Sequence, residues 1–129
     1  MSILFHGTTL TRAARIIAHG PDPSFVEPGE VQRAKTQPLE FSACLAFGPF
    51  PLGTPEDYAH RKSRIAEYQS EGGPAIVIFD VPDDTIALAA SVFFPLSCGV
   101  VQFDQGAGLD ELRANWSTIK KRIISLGCP

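Results

Sequence analysis

The sequence predicts a single α+β domain, and three observations carry that reading. Pro74 to Val81 is a continuous apolar run (Ala-Ile-Val-Ile-Phe at its centre) of the kind found in a strand buried on both faces. Thr54-Pro55-Glu56-Asp57 is a helix start, with a Thr cap, proline at the first helical position and acids in the first turn. Leu109, Leu112, Trp116, Ile119 and Ile123 recur at intervals of 3, 4, 3 and 4, an amphipathic helical stripe. Strand-like and helix-like segments thus share a chain of 129 residues, long enough for one compact domain over 1–129 and short for two.

The elements follow in order. Residues 2 to 6 read as a buried first strand. From Leu10 the pattern turns helical, with Leu10, Ala13, Ala14, Ile16 and Ile17 on one side and Thr9 as the cap. Gly20-Pro21 stops that helix. Residues 21 to 38 hold four prolines and read as loop. Leu39, Phe41, Ala43, Leu45 and Phe47 alternate as in a strand, and Gly48 to Gly53 is irregular. The helix from Thr54 is expected to reach about Gln69, before Gly72-Gly73. After the strand at 74–81, Pro82-Asp83-Asp84 turns the chain. Ile86 to Ala90 fits a strand or a helical turn, and Val92-Phe93-Phe94 a strand. Gly99 to Asp104 is a further strand. The last helix opens at Asp110-Glu111 and closes at Lys120-Lys121-Arg122, with the charge order that suits a helix dipole.

Composition excludes several classes. Charged residues are 19% of the chain and hydrophobic ones 44%, a globular rather than a disordered balance. A net charge of -3 argues against non-specific nucleic-acid binding. No apolar run approaches the roughly 18 residues of a membrane span, and no secretory leader is expected. Cys44, Cys98 and Cys128 are odd in number and widely spaced, which fits reduced thiols and a cytoplasmic setting. With His6, His19 and His60 they show no zinc spacing, so no metal is expected. His19 suits the end of the first helix, and His60, beside Arg61 and Lys62, a solvated face. Gly106-Ala107-Gly108 lacks the lysine of a P-loop and reads as a tight turn.

The chemistry concentrates in Phe5-His6-Gly7-Thr8-Thr9, at the expected passage from strand to helix. Glycine permits close approach to the backbone, and the two threonines supply short hydroxyls. This arrangement resembles the first NAD-binding motif of the ADP-ribosyltransferase superfamily, its small His-type branch. The resemblance covers residues 3 to 20 well and residues 74 to 84 loosely, and Tyr58-Ala59 falls in the slot of the family's second helix. It implies a split β-sheet with peripheral helices, NAD as substrate, and ADP-ribosyl transfer with loss of nicotinamide to an acceptor. His6 would bond a ribose hydroxyl, and Gly7, with Thr8 beside it, a carboxamide.

Two departures bear on catalysis. No tyrosine lies between residues 39 and 53, so Phe47 or Phe50 would supply the ring that packs on nicotinamide. The late strand that carries the family's glutamate reads Gly99-Val100-Val101-Gln102-Phe103-Asp104, which leaves Gln102 or Asp104 at the catalytic position. A neutral Gln cannot offset the positive charge that builds on the ribose. Weak or lost turnover is therefore expected. The alternative is a non-catalytic module on the same fold that binds a protein partner. A 2'-phosphotransferase-like relative would need a basic cluster, for which Arg61-Lys62-Arg64 is the available run.

Overall fold

The computed structural model describes residues 1–21, 40–45, 54–89, 91–93, 99–104 and 106–127. The described residues mix strands and helices, as the α+β class predicts. Six strands form a sheet whose every pairing is antiparallel: β1 (Ser2–Thr9), β2 (Glu40–Leu45), β3 (Pro74–Val81), β4 (Ser91–Phe93), β5 (Gly99–Asp104) and β6 (Lys121–Ser125). Their order is β4-β5-β2-β1-β3-β6. The helices are α1 (Leu10–His19), α2 (Thr54–Ser63), α3 (Asp83–Ala87) and α4 (Ala107–Ala114).

β3 is the anchor. Its apolar run is buried on both faces, with Ala75, Ile76, Val77, Phe79 and Val81 at 0% exposure. One face joins Leu4, Ala43, Val77, Phe79, Val101 and Phe103 to Ala13 of α1, Leu109 and Leu112 of α4, and Trp116. The other face carries a smaller cluster of Phe5, Ile76 and Ile78. Trp116 tilts against Phe79 with ring centroids 5.3 Å apart, and its indole N–H donates to the Ile17 carbonyl at 3.1 Å.

Several expectations change. β1 does not stop at residue 6; it runs to Thr9 because β3 pairs with it at eight successive positions, from Ser2↔Val81 to Thr9↔Pro74. His6 therefore lies inside the strand. In α1, Ala13 is buried and Ile16 and Ile17 are partly so, while Leu10 and Ala14 face solvent. α2 ends at Ser63, where i→i+3 bonds from Arg64 to the Arg61 carbonyl and from Ile65 to the Lys62 carbonyl tighten the chain. A 3₁₀ turn at Ala66–Tyr68 then carries Tyr68 inward, to 1% exposure. α3 starts at Asp83, where the sequence predicts a turn, and takes in Ile86 and Ala87 of the stretch that fits a strand or a helical turn.

The largest correction is at the C-terminal helix. α4 stops at Ala114, where the Asn115 amide donates to the Glu111 carbonyl at 3.1 Å and to its carboxylate at 2.8 Å. A 3₁₀ turn at Trp116–Thr118 leads into β6, whose Ile123 pairs with Val77. The stripe residues Leu109, Leu112, Trp116 and Ile119 are still buried. The 3-and-4 spacing read the burial correctly, but β-branched Ile123 and Ile124 complete a sheet edge instead of a helix. Lys121 caps this junction, its ammonium donating to the carbonyls of Trp116 (2.7 Å) and Ile119 (3.1 Å).

Candidate functional site

β1 is held very differently on its two sides. Toward β3 it pairs along its whole length. Toward β2 the described ladder consists of Leu4↔Leu45 and Phe5↔Cys44, although β2 continues to Glu40 and pairs there with β5 through Glu40↔Asp104. Among the described residues, the two halves of the sheet thus lose their ladder at His6. From that point His6, Gly7 and Thr8 border one side, and the Glu40–Ala43 stretch of β2, backed by β5, borders the other.

Register assigns the faces. In a strand, side chains alternate. His6 shares the face of Leu4, is paired with Val77, and is half-buried. On the β2–β5 ladder, Ala43↔Val101 belongs to that same buried face, while Gln102, paired with Ser42 and half-buried, belongs to the opposite one. His6 and Gln102 therefore do not meet across one face. A ligand that touches both would lie between β1 and β2, beyond the end of their ladder. Asp104 is paired through its backbone with Glu40, two positions further along β5. Phe47 and Phe50 lie outside the described residues, as do the loop expected at 22–38 and the irregular stretch expected at 48–53.

Gly7 has a packing reason to be glycine. A Cβ there would collide with the Pro55 carbonyl oxygen and stand 3.1 Å from the Ala59 backbone nitrogen. The first turns of α2 thus approach β1 backbone to backbone, with Ala59 at 0% exposure. Gly108 has a similar reason, since a Cβ there would stand 2.5 Å from the Leu88 carbonyl oxygen. The Gly106-Ala107-Gly108 turn accordingly serves the packing of α4 on the segment that follows α3.

The start of α1 is closed by a polar cluster. The Thr9 side chain accepts from the Arg12 amide at 3.4 Å and donates to the Glu71 carboxylate at 2.7 Å. The Arg12 guanidinium meets that carboxylate at 2.8 and 3.2 Å, and lies 4.1 Å over the Tyr68 ring. The backbone N–H groups of Leu10 and Thr11 donate to the carbonyls of Gly73 (2.9 Å) and Glu71 (3.0 Å). The donors a helix N-terminus would offer to an anion are therefore taken by the chain itself. Lys62, one turn beyond Ala59, is 2% exposed, with its ammonium 5.5 Å from the Tyr68 ring. The solvated face expected around His60 does not extend to it. His60 itself lies 3.9 Å from Glu56 and is partly exposed. Glu71 and Tyr68 escaped sequence reasoning because their partners are about sixty residues away in the chain, and no local spacing signals such a pair.

Thr8 differs from Thr9. It is wholly buried, and its hydroxyl has no hydrogen-bond partner among the described residues. Among those residues, no group of three or more His, Cys, Asp or Glu side chains is placed to hold a metal ion, and no helix is long and apolar enough to cross a membrane. Comparison of the chain with family models, with curated proteins and with solved structures found no match.

Proposed function

We propose that this chain has an ADP-ribosyltransferase-like split sheet and binds NAD, or an ADP-ribosyl group, between β1 and β2, beyond the end of their ladder. The observation that carries the reading is the end of the β1–β2 ladder immediately before His6. β1 with His6-Gly7-Thr8 and β5 with Gln102, the strands that would carry the ligand contacts, flank β2 in the sheet, and β3, which the resemblance covers loosely, lies on the other side of β1. His6 would hold a ribose hydroxyl from the β1 side, and Gln102 or Asp104 would approach the nicotinamide ribose from the other. With no glutamate on β5 and Gln102 or Asp104 in its place, turnover would be weak or absent, with any residual turnover depending on Asp104 more than on Gln102.

Calorimetry with NAD tests binding. His6→Ala should weaken it by about 1 to 3 kcal/mol, the loss of one or two ligand hydrogen bonds, with the fold intact. Equal affinity in mutant and parent removes His6 from the site. Nicotinamide release tests turnover. Robust release that survives Asp104→Asn refutes the assignment of Asp104. A gain of hydrolysis in Gln102→Glu shows that Gln102 occupies the catalytic position and that the natural protein is a binder. That outcome supports the second reading, a non-catalytic module acting on a protein partner, which the neutral Gln102 already favours.

A further inference from the structure

We infer that β6 pairs edge to edge with the β6 of a second copy of this chain, antiparallel about Ile123, and so joins two sheets in a symmetric dimer. The inference is independent of the NAD reading, since β3 separates β6 from β1. β6 ends the sheet, and among the described residues no strand pairs with its outer side. Bonds from the Asp80 amide to the Lys120 carbonyl (2.9 Å) and from the Leu126 amide to the Pro74 carbonyl (3.0 Å) fix the phase of its ladder with β3. Arg122 and Ile124 therefore turn their N–H and C=O toward β3. Lys121, Ile123 and Ser125 turn theirs outward, a row of donors and acceptors open to another strand. Between Lys121 and Ser125 there is no proline or glycine, and the register with β3 runs through without a bulge. Lys121, a charge that could guard the edge, donates inward instead, to the carbonyls of Trp116 and Ile119.

The order of charges selects the occupant. Lys120, Lys121 and Arg122 crowd one end of the edge, and the uncharged Ser125, Leu126 and Gly127 form the other. An acidic extended segment would match the first end alone. A second β6, run antiparallel, matches both. With the two Ile123 residues opposite one another, Lys121 faces the partner's Ser125, Arg122 the partner's Ile124, and Lys120 the partner's Leu126. Registers centred on Lys121 or Arg122 set cation against cation, which disfavours them. A register centred on Ile124 pairs fewer residues of β6. Ile123 and Ile124 are both partly exposed, and they pack on the two apolar clusters, on opposite faces of the sheet. The pairing continues both clusters across the seam: Ile123 meets its own copy on one face, and Ile124 meets the aliphatic stem of the partner's Arg122 on the other. The contact is small, below about 1,200 Å², so the dimer is weak and exchanges readily.

Sedimentation of the full chain from about 10 μM to about 1 mM should show a reversible monomer–dimer equilibrium. Amide exchange should slow with concentration at Lys121, Ile123 and Ser125, and stay constant at Arg122 and Ile124, whose amides already bond β3. Ser125→Pro deletes an outward donor and sets its ring against the incoming strand, with no bond to β3 lost. It should abolish the dimer and keep the circular dichroism spectrum and Tm of the parent. Ser125→Lys, opposite the partner's Lys121, should weaken the dimer about threefold to tenfold, and Ser125→Glu should strengthen it by a similar factor, because each change counts twice across the two-fold axis. A parent that is monomeric at about 1 mM overturns the inference. So does a dimer that survives Ser125→Pro, since it uses another surface. A monomer with the Lys121, Ile123 and Ser125 amides already protected shows another segment of the chain on the edge and overturns it too. If Ser125→Pro does not fold, Ser125→Lys and Ser125→Glu decide, and a dimer indifferent to both overturns the pairing.

Discussion

The two flanks of β1 make an instructive contrast. The flank toward β3 is an unbroken ladder of eight positions over a close-packed apolar core. The flank toward β2 is laddered at Leu4 and Phe5 alone among the described residues, and it borders a half-buried histidine and a buried hydroxyl without a partner. One strand thus belongs to a fully laddered half-sheet on one side and to a ladder of two pairs on the other, among the described residues. Stability is concentrated where β3 lies. The Thr8 hydroxyl, which has no partner among the described residues, lies where β2 departs.

The strongest perturbation of the fully laddered half is Trp116→Ala. Trp116 is 5% exposed, packed on Phe79 and bonded to Ile17, so its loss should cost about 3 to 5 kcal/mol in chemical denaturation. If the contrast is right, β1 and β3 unfold as one unit, and amide exchange rises at Leu4, Val77 and Phe79 together. A change confined to one of these strands breaks the comparison.

Gly7→Ala probes the point where the ladder ends. Its Cβ has nowhere to go against Pro55 and Ala59, so α2 must shift, at a cost of about 1 to 3 kcal/mol. The shift should be read at His6 as well, as an altered imidazole NMR signal in a still folded protein. A neutral effect on stability would show that α2 sits further from β1 than the geometry requires.

The smallest effect belongs to the opposite end of β1. The amino terminus donates to Asp83 at 3.0 Å and Ser2 donates to it at 3.2 Å. These bonds, the ammonium first, hold the Asp83 carboxyl below its ordinary value. A depressed carboxylate pKa adds stability that is present above the unfolded value of about 3.9 and is lost as pH falls through the lower folded value. Asp83 is exposed, so the gain is slight. Asp83→Asn should flatten the stability profile only below about pH 4. A difference that persists in shape up to neutrality would point to a structural role for Asp83 instead.

Much of the domain was readable from the chain alone. The α+β class, the anchor strand at 74–81, the Thr9 cap, the stop at Gly20, the start of α2 at Thr54 and the strand at 99–104 all follow from local chemistry, since apolar runs, caps and breakers act within a few residues. The burial of Leu109, Leu112, Trp116 and Ile119 was also legible, because periodicity reports which side faces the core. Its conformation was not. Ile123 could extend a helix or join an edge, and β3 decided, by offering a ladder to a β-branched segment. The same strand carried β1 past His6 to Thr9.

The motif His6-Gly7-Thr8 was visible as a sequence, but its setting was not. That Gly7 yields to α2, that Glu71 closes the start of α1, that Lys62 is enclosed beside Tyr68 and that β2 leaves β1 at His6 are all contacts between residues far apart in the chain. Local propensity has no access to them. Only the assembled sheet and its helices bring those residues within range of one another, and they alone determine which polar groups find partners and which, like Thr8, are left without one among the described residues.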